Sequence, residues 1–114
     1  MTPILIVCDD LPFREALRNF LLAAGYSDVE VVETVRKAVM ELRCESYRRI
    51  LVCLSRPLAS QERLARVAQE RQPGAKALLF ISADDVPFIK DTSFVYVIKE
   101  RAFSTLLQLL APNG

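Results

Sequence analysis

Residues 48–57, RRILVCLSRP, carry an unbroken apolar run, Ile50–Leu54, between a pair of arginines and a turn signal at Pro57. A run this short and this uniformly apolar fits a strand buried on both faces, because a strand with one wet face alternates polar and apolar residues. Such strands occur where helices cover both sides of a sheet. The reading of the whole chain therefore depends on whether similar runs alternate with helical segments.

They do. PILIVC (3–8) is a second continuous apolar run and is expected to be a central strand. PFREALRNFLLAAGY (12–26) follows with helical spacing, placing Phe13, Leu17, Phe20, Leu21 and Ala24 on one face, Pro12 near its start and Gly25 at its end. DVEVVE (28–33) is a more mixed strand, and VRKAVMELRC (35–44) is a helix with Val35, Val39 and Leu42 facing inward. After RILVCL (49–54) comes a helix around SQERLARVAQERQ (60–72), with Ser60 as its expected cap. AKALLFIS (75–82) and FVYVIK (94–99) are the fourth and fifth strands, and AFSTLLQLL (102–110) is the closing helix. Strands alternating with helices imply an α/β fold, a parallel sheet with helices on both faces. Between the last two strands stands only ADDVPFIKDTS (83–93), with Pro87 in its middle. The fourth crossover helix is therefore expected to be shortened or absent, one turn or less.

Composition narrows the function. The chain has 114 residues, 52% of them hydrophobic and 25% charged, which suits one globular domain spanning 1–114. A net charge of +1 gives no electrostatic case for nucleic acid. No apolar stretch approaches the roughly 20 residues of a spanning helix, so no membrane role is expected. Met1 leads directly into PILIVCDD without a basic segment and cleavage site, so no secretory signal is expected. Three cysteines at irregular spacing suit free thiols in a cytoplasmic protein. The chain contains no His, which removes imidazole catalysis and His-based metal sites. No cofactor and no metal are expected.

In an open α/β sheet, site chemistry lies beyond the carboxyl ends of the strands. Those ends carry Cys8, Asp9 and Asp10, then Cys53, Ser82 and Lys99. At these positions the chain resembles the receiver domain of two-component response regulators, a resemblance that covers nearly its whole length. It implies a three-layer, doubly wound, flavodoxin-like sheet of five parallel strands in the order 2-1-3-4-5. ILIVCDDLPFREAL is similar to the family's first strand and helix, where an acidic pair holds a divalent metal; Cys8 and Asp9 fall on that pair, with Asp10 as neighbour. In ILVCLSRP the family's phosphoacceptor Asp, four residues before the Pro, corresponds to Cys53. FIS places Ser82 on the Ser/Thr position, and YVIKE places Lys99 on the family's lysine with Tyr96 on its switch aromatic. Glu100 stands where a Pro commonly follows that lysine.

The departures matter most. Phosphoryl transfer to a receiver needs a carboxylate nucleophile beside a metal that neutralises developing charge. No Asp occurs between Asp28 and Asp84, so a shifted alignment restores no acceptor. Cys8 also removes an oxygen ligand, and Mg²⁺ prefers oxygen. The resemblance thus implies a degenerate, non-enzymatic receiver that works independently of phosphorylation, through contacts with a sensor kinase, an output domain or another signalling protein, or as a homodimer through its first helix. Receivers signal largely through the fourth crossover helix, the fifth strand and the last helix. A shortened crossover alters that surface, leaving Phe88, Phe94 and Tyr96 as its candidate apolar contacts.

Simpler roles compete at each residue. Cys8 and Cys53 suit small buried fillers. Asp9 suits a strand terminator or helix cap, Lys99 a salt bridge to Asp9, Ser82 a local turn bond and Tyr96 a half-buried strand aromatic. Cys44 has no partner evident from sequence. The alternative function is thiol-based redox sensing: neighbouring strands lie about 4.8 Å apart, inside the Cα window of about 4.4–6.8 Å for a disulfide, and Lys99 would favour a thiolate.

Overall fold

A computed structural model describes residues 3–55, 57–90 and 93–110. The chain alternates β1 (Ile4–Cys8), α1 (Leu11–Ala23), β2 (Val29–Val32), α2 (Val35–Cys44), β3 (Arg49–Cys53), α3 (Leu58–Arg71), β4 (Lys76–Ile81), β5 (Val95–Ile98) and α4 (Ala102–Leu110). The five strands pair in parallel in the order β2-β1-β3-β4-β5. The parallel sheet covered on both faces is the one the alternation of apolar runs and helices implies, and its doubly wound, flavodoxin-like strand order is the one the family resemblance implies.

Period-2 alternation divides the core into two layers. Leu5, Val7, Ile50, Val52 and Leu79 face α2 and α3, where Ala38, Leu42, Leu64, Ala65 and Ala68 complete one cluster. Ile4, Ile6, Cys8, Leu51, Cys53, Leu78 and Phe80 face α1 and α4, packing on Leu17, Leu21, Leu106 and Leu110. Both strand faces are covered, which is why the β1 and β3 runs contain so few polar residues. The two cysteines belong to the second layer, and so does the chemistry at their end of the sheet.

Local signals account for most boundaries. Asp10 caps α1 by accepting from the Phe13 N–H, and Pro12 follows in the first turn, where its missing N–H costs no helical bond. At the other end Gly25 adopts φ +99°, and the Gly25 and Tyr26 N–H groups donate back to Leu22 and Leu21 carbonyls. That closure leaves orphan carbonyls satisfied and needs the left-handed conformation glycine tolerates. Ala24, assigned to the inward face by spacing alone, is exposed because the helix has already ended at Ala23. Ser60 is not the cap of α3 either: the helix begins two residues earlier, with Pro57 at the N-cap position and no side-chain cap bond.

The fourth crossover contains a 3-10 helix, Ala83–Phe88, and no α-helix among the described residues. Its six residues make about two turns at roughly three residues per turn, more than the single turn expected. Ser82 opens it by accepting from the Asp84 N–H, and Asp85 N–H donates to the Ser82 carbonyl, an i to i+3 bond. Pro87 lacks the N–H that an α-helical continuation would use.

At the opposite end of the sheet, Gln72 ties three elements together. Its Oε1 accepts from the Tyr47 N–H at 2.7 Å, while its Nε2 donates to the carbonyls of Leu42 at 2.9 Å and Glu45 at 2.7 Å. Replacing Gln72 with Leu keeps the bulk but strands these backbone groups. We expect a loss of about 1–3 kcal/mol in urea unfolding, the cost of leaving part-buried polar groups without partners; an unchanged midpoint would show that water replaces the amide there.

Candidate functional site

The candidate site sits where the carboxyl ends of β1, β3, β4 and β5 converge. Register pairing sets Cys8 of β1 directly opposite Cys53 of β3. Both thiols are free and buried, 0% and 3% exposed. Cys8 Sγ also approaches the Asp10 carbonyl at 3.5 Å. The third cysteine, Cys44, is exposed at the end of α2.

The two acids after β1 point to different tasks, as successive residues leaving a strand do. Both carboxylate oxygens of Asp9 accept from the Ser55 N–H, at 2.9 and 3.1 Å, joining the loop after β1 to the loop after β3. Asp10 caps α1 and accepts from Lys99 Nζ at 3.1 Å. The expected Lys99–Asp9 bridge is therefore corrected to Lys99–Asp10, because Asp9 is already turned across β3 by the Ser55 N–H. The Lys99 ammonium additionally lies 4.7 Å from the centre of the Phe13 ring. Ser82 makes the local turn bond to Asp84 described above, and Glu100 accepts from the neighbouring Ala83 N–H at 3.5 Å.

Charge at the site is set by this pairing. The Lys99 hydrogen bond, aided by its ammonium charge, holds the Asp10 carboxyl below its ordinary value. Burial pulls Lys99 down, but the Asp10 bond and carboxylate outweigh it and the net shift is upward. Between the thiols, an S–H donated from Cys53, with help from the Asp10 backbone and the Lys99 charge, brings Cys8 down to about 7. The same shared proton and burial push Cys53 up, because a second thiolate in contact with the first has no water to stabilise it.

Asp10 has a consequence in acid. Its folded-state pKa lies below the unfolded value, so its contribution is present above the ordinary carboxylate range and is lost as pH falls through the lowered folded pKa. Asp10→Asn keeps a side-chain cap but no charge. That variant should show a flatter fall in melting temperature below about pH 4 than the parent; parallel curves would show the Lys99 pair contributes nothing.

Beside the thiols an open cavity of 350 Å³ is lined by Cys53, Ser55, Gln61, Phe80, Ser82, Asp85 and Lys99. Cys53, Ser82 and Lys99 are strand-end residues evident from the sequence, whereas Gln61 and Asp85 join them only in the folded chain. Gln61 lies on the buried face of α3, 3% exposed, and accepts from the Leu54 N–H at 3.4 Å. A polar residue at a core-facing helical position was the available signal for it; Asp85 had none, since its place depends on the 3-10 geometry. Among the described residues, no group of three or more His, Cys, Asp or Glu is arranged to hold a metal ion.

The three candidate surface aromatics separate. Phe88 is 69% exposed on the 3-10 helix. Phe94 is not a surface contact: it is 7% exposed, packed in the α2–α3 layer with its ring edge toward Tyr96 and Arg66 over its face. The parallel sheet draws Phe94 inward because it leads directly into β5. Tyr96 is half-buried and donates to the Glu62 carboxylate of α3.

No family model matches the sequence, and no curated protein matches it. Solved structures do. A response regulator receiver domain protein (CheY-like) from Methanospirillum hungatei JF-1 superposes with a TM-score of 0.71 at 20% identity, covering 96% of this chain and 94% of the other. A two component transcriptional regulator AraC from Clostridium phytofermentans ISDg superposes at 0.74 with 15% identity, covering 95% and 90%. The chain has the CheY-like receiver fold. With the fold in place, the strand-end residues quoted above occupy the carboxyl edge of that sheet.

Proposed function

We propose that residues 1–114 form a single receiver-like domain that acts in cytoplasmic signal transduction as a non-enzymatic protein-interaction module, independently of phosphorylation. The fold likeness supports the signalling role. The observation that carries phosphorylation independence is the Cys8–Cys53 pair, two buried sulfurs at the strand ends where receiver chemistry would need oxygen ligands and a carboxylate acceptor. Lys99 is meanwhile engaged by Asp10.

The interaction surface we assign lies on the 3-10 helix, where Phe88 and Val86 are 69% and 42% exposed. An exposed aromatic on a short, proline-containing element supplies apolar contact area to a sensor kinase, an output domain, another signalling protein or a second copy. Tyr96 contributes through its half-buried ring. Neither nucleic acid nor a membrane is part of this reading; no helix of the described residues is long and apolar enough to cross a bilayer.

The test is incubation with acetyl phosphate and Mg²⁺ followed by intact mass measurement. The expected result is the unmodified mass throughout; a phosphoryl adduct surviving on any residue of the site would overturn the reading.

A further inference from the structure

We infer that Cys8 and Cys53 form a two-coordinate site for a soft monovalent metal ion of the Cu(I) class. The inference goes beyond the proposed signalling role and does not depend on it. Three features of the molecule point the same way.

The first is placement. The two residues are register partners on adjacent parallel strands, so both side chains leave the sheet on the α1–α4 side. Paired neighbours on adjacent strands have backbones about 4.8 Å apart, so two side chains leaving the same face can reach one ion. The second is the donor set. Zn²⁺ structural sites take four ligands and Mg²⁺ or Ca²⁺ take oxygen, whereas paired soft thiolates select Cu(I). Asp9 and Asp10, the nearest acids in sequence, are turned to Ser55 and Lys99, leaving sulfur as the donor. The third is access combined with dryness. Cys8 is sealed, while Cys53 borders the 350 Å³ cavity through which an ion reaches the pair.

Binding balances without electron transfer. As each S–metal bond forms, its thiol releases one proton to solvent and the ion remains monovalent. The resulting bis-thiolate unit carries one net negative charge, which the nearby Lys99 ammonium favours.

The experiment uses the full chain carrying Cys44→Ser, which removes the exposed thiol. Anaerobic titration with Cu(I) against a chromogenic competitor should give one equivalent per chain, and X-ray absorption should show two sulfur ligands. Cys8→Ser or Cys53→Ser in the same background should lower affinity at least a hundredfold, while Zn²⁺ should bind far more weakly than Cu(I). Should either variant fail to fold, the absorption spectrum of the Cys44→Ser protein decides alone. Less than half an equivalent bound, nitrogen or oxygen coordination, undiminished affinity in folded variants, or Zn²⁺ binding as tight as Cu(I) would each overturn the site.

Discussion

Phe80→Ala should cost about 3–5 kcal/mol in denaturant unfolding, the range for truncating a buried aromatic. Phe80 is 2% exposed on β4, opposite Val97 of β5, and its ring meets Phe13 edge-to-face at 5.8 Å between centroids. Phe13 in turn contacts Phe103 of α4 at 5.8 Å, so one truncation opens the layer that joins the sheet to both α1 and α4. Such a loss is a large share of the roughly 5–15 kcal/mol total expected of a domain. A loss under about 1 kcal/mol would mean that the α1–α4 layer closes over the cavity, contrary to the packing described.

The second large effect comes from rebuilding oxygen chemistry at the thiol pair. Cys53→Asp alone places a carboxyl at a site 3% exposed. Burial there raises a carboxyl pKa by as much as about 3–5 units, and each unit is about 1.4 kcal/mol against the charged form. The single variant should be strongly destabilised near neutral pH and gain little from Mg²⁺. Cys8→Asp with Cys53→Asp sets two carboxylates opposite each other beside Asp9 and creates an all-oxygen ligand set. Mg²⁺ at a hundred times its dissociation constant would then stabilise the fold by about 2.7 kcal/mol, read as a rise in melting temperature absent from the parent and from each single variant. Mg²⁺ stabilisation of the unaltered chain would contradict the claim that Cys8 and Cys53 have removed the metal.

The fold was legible because its signals are local and redundant. The runs at 3–8 and 50–54 are apolar throughout, as strands covered on both faces are, and α2 and α4 occupy the stretches their periodicity marks. Gly25 announced the end of α1 through the one backbone conformation it serves there. The misses have physical causes as well. Ser60 is a good capping type, but Pro57 fixes the chain direction first and the helix starts before Ser60 is reached. The fourth crossover is a 3-10 helix because a proline-containing segment of this length closes i to i+3 bonds more readily than α-helical ones.

The site was legible in its members and not in its pairings. Strand ends identified Cys8, Asp9, Asp10, Cys53, Ser82 and Lys99, since a parallel sheet gathers them at one edge. Which acid takes Lys99 depends on how the chain leaves β1, and sequence spacing carries no record of that torsion. The burial of Phe94 has no signal in the sequence, because a residue bordering a polar crossover shows no pattern that the sheet will cover it.

The most direct test of the central claim is amide NMR of the full chain with beryllofluoride and Mg²⁺, a mimic of the phosphorylated receiver that needs an Asp acceptor and a bound metal. With sulfur at Cys8 and Cys53, the account predicts spectra that superpose with and without the reagent. Shifts clustered at Cys53, Ser82 and Lys99, reversed by removing Mg²⁺, would contradict it.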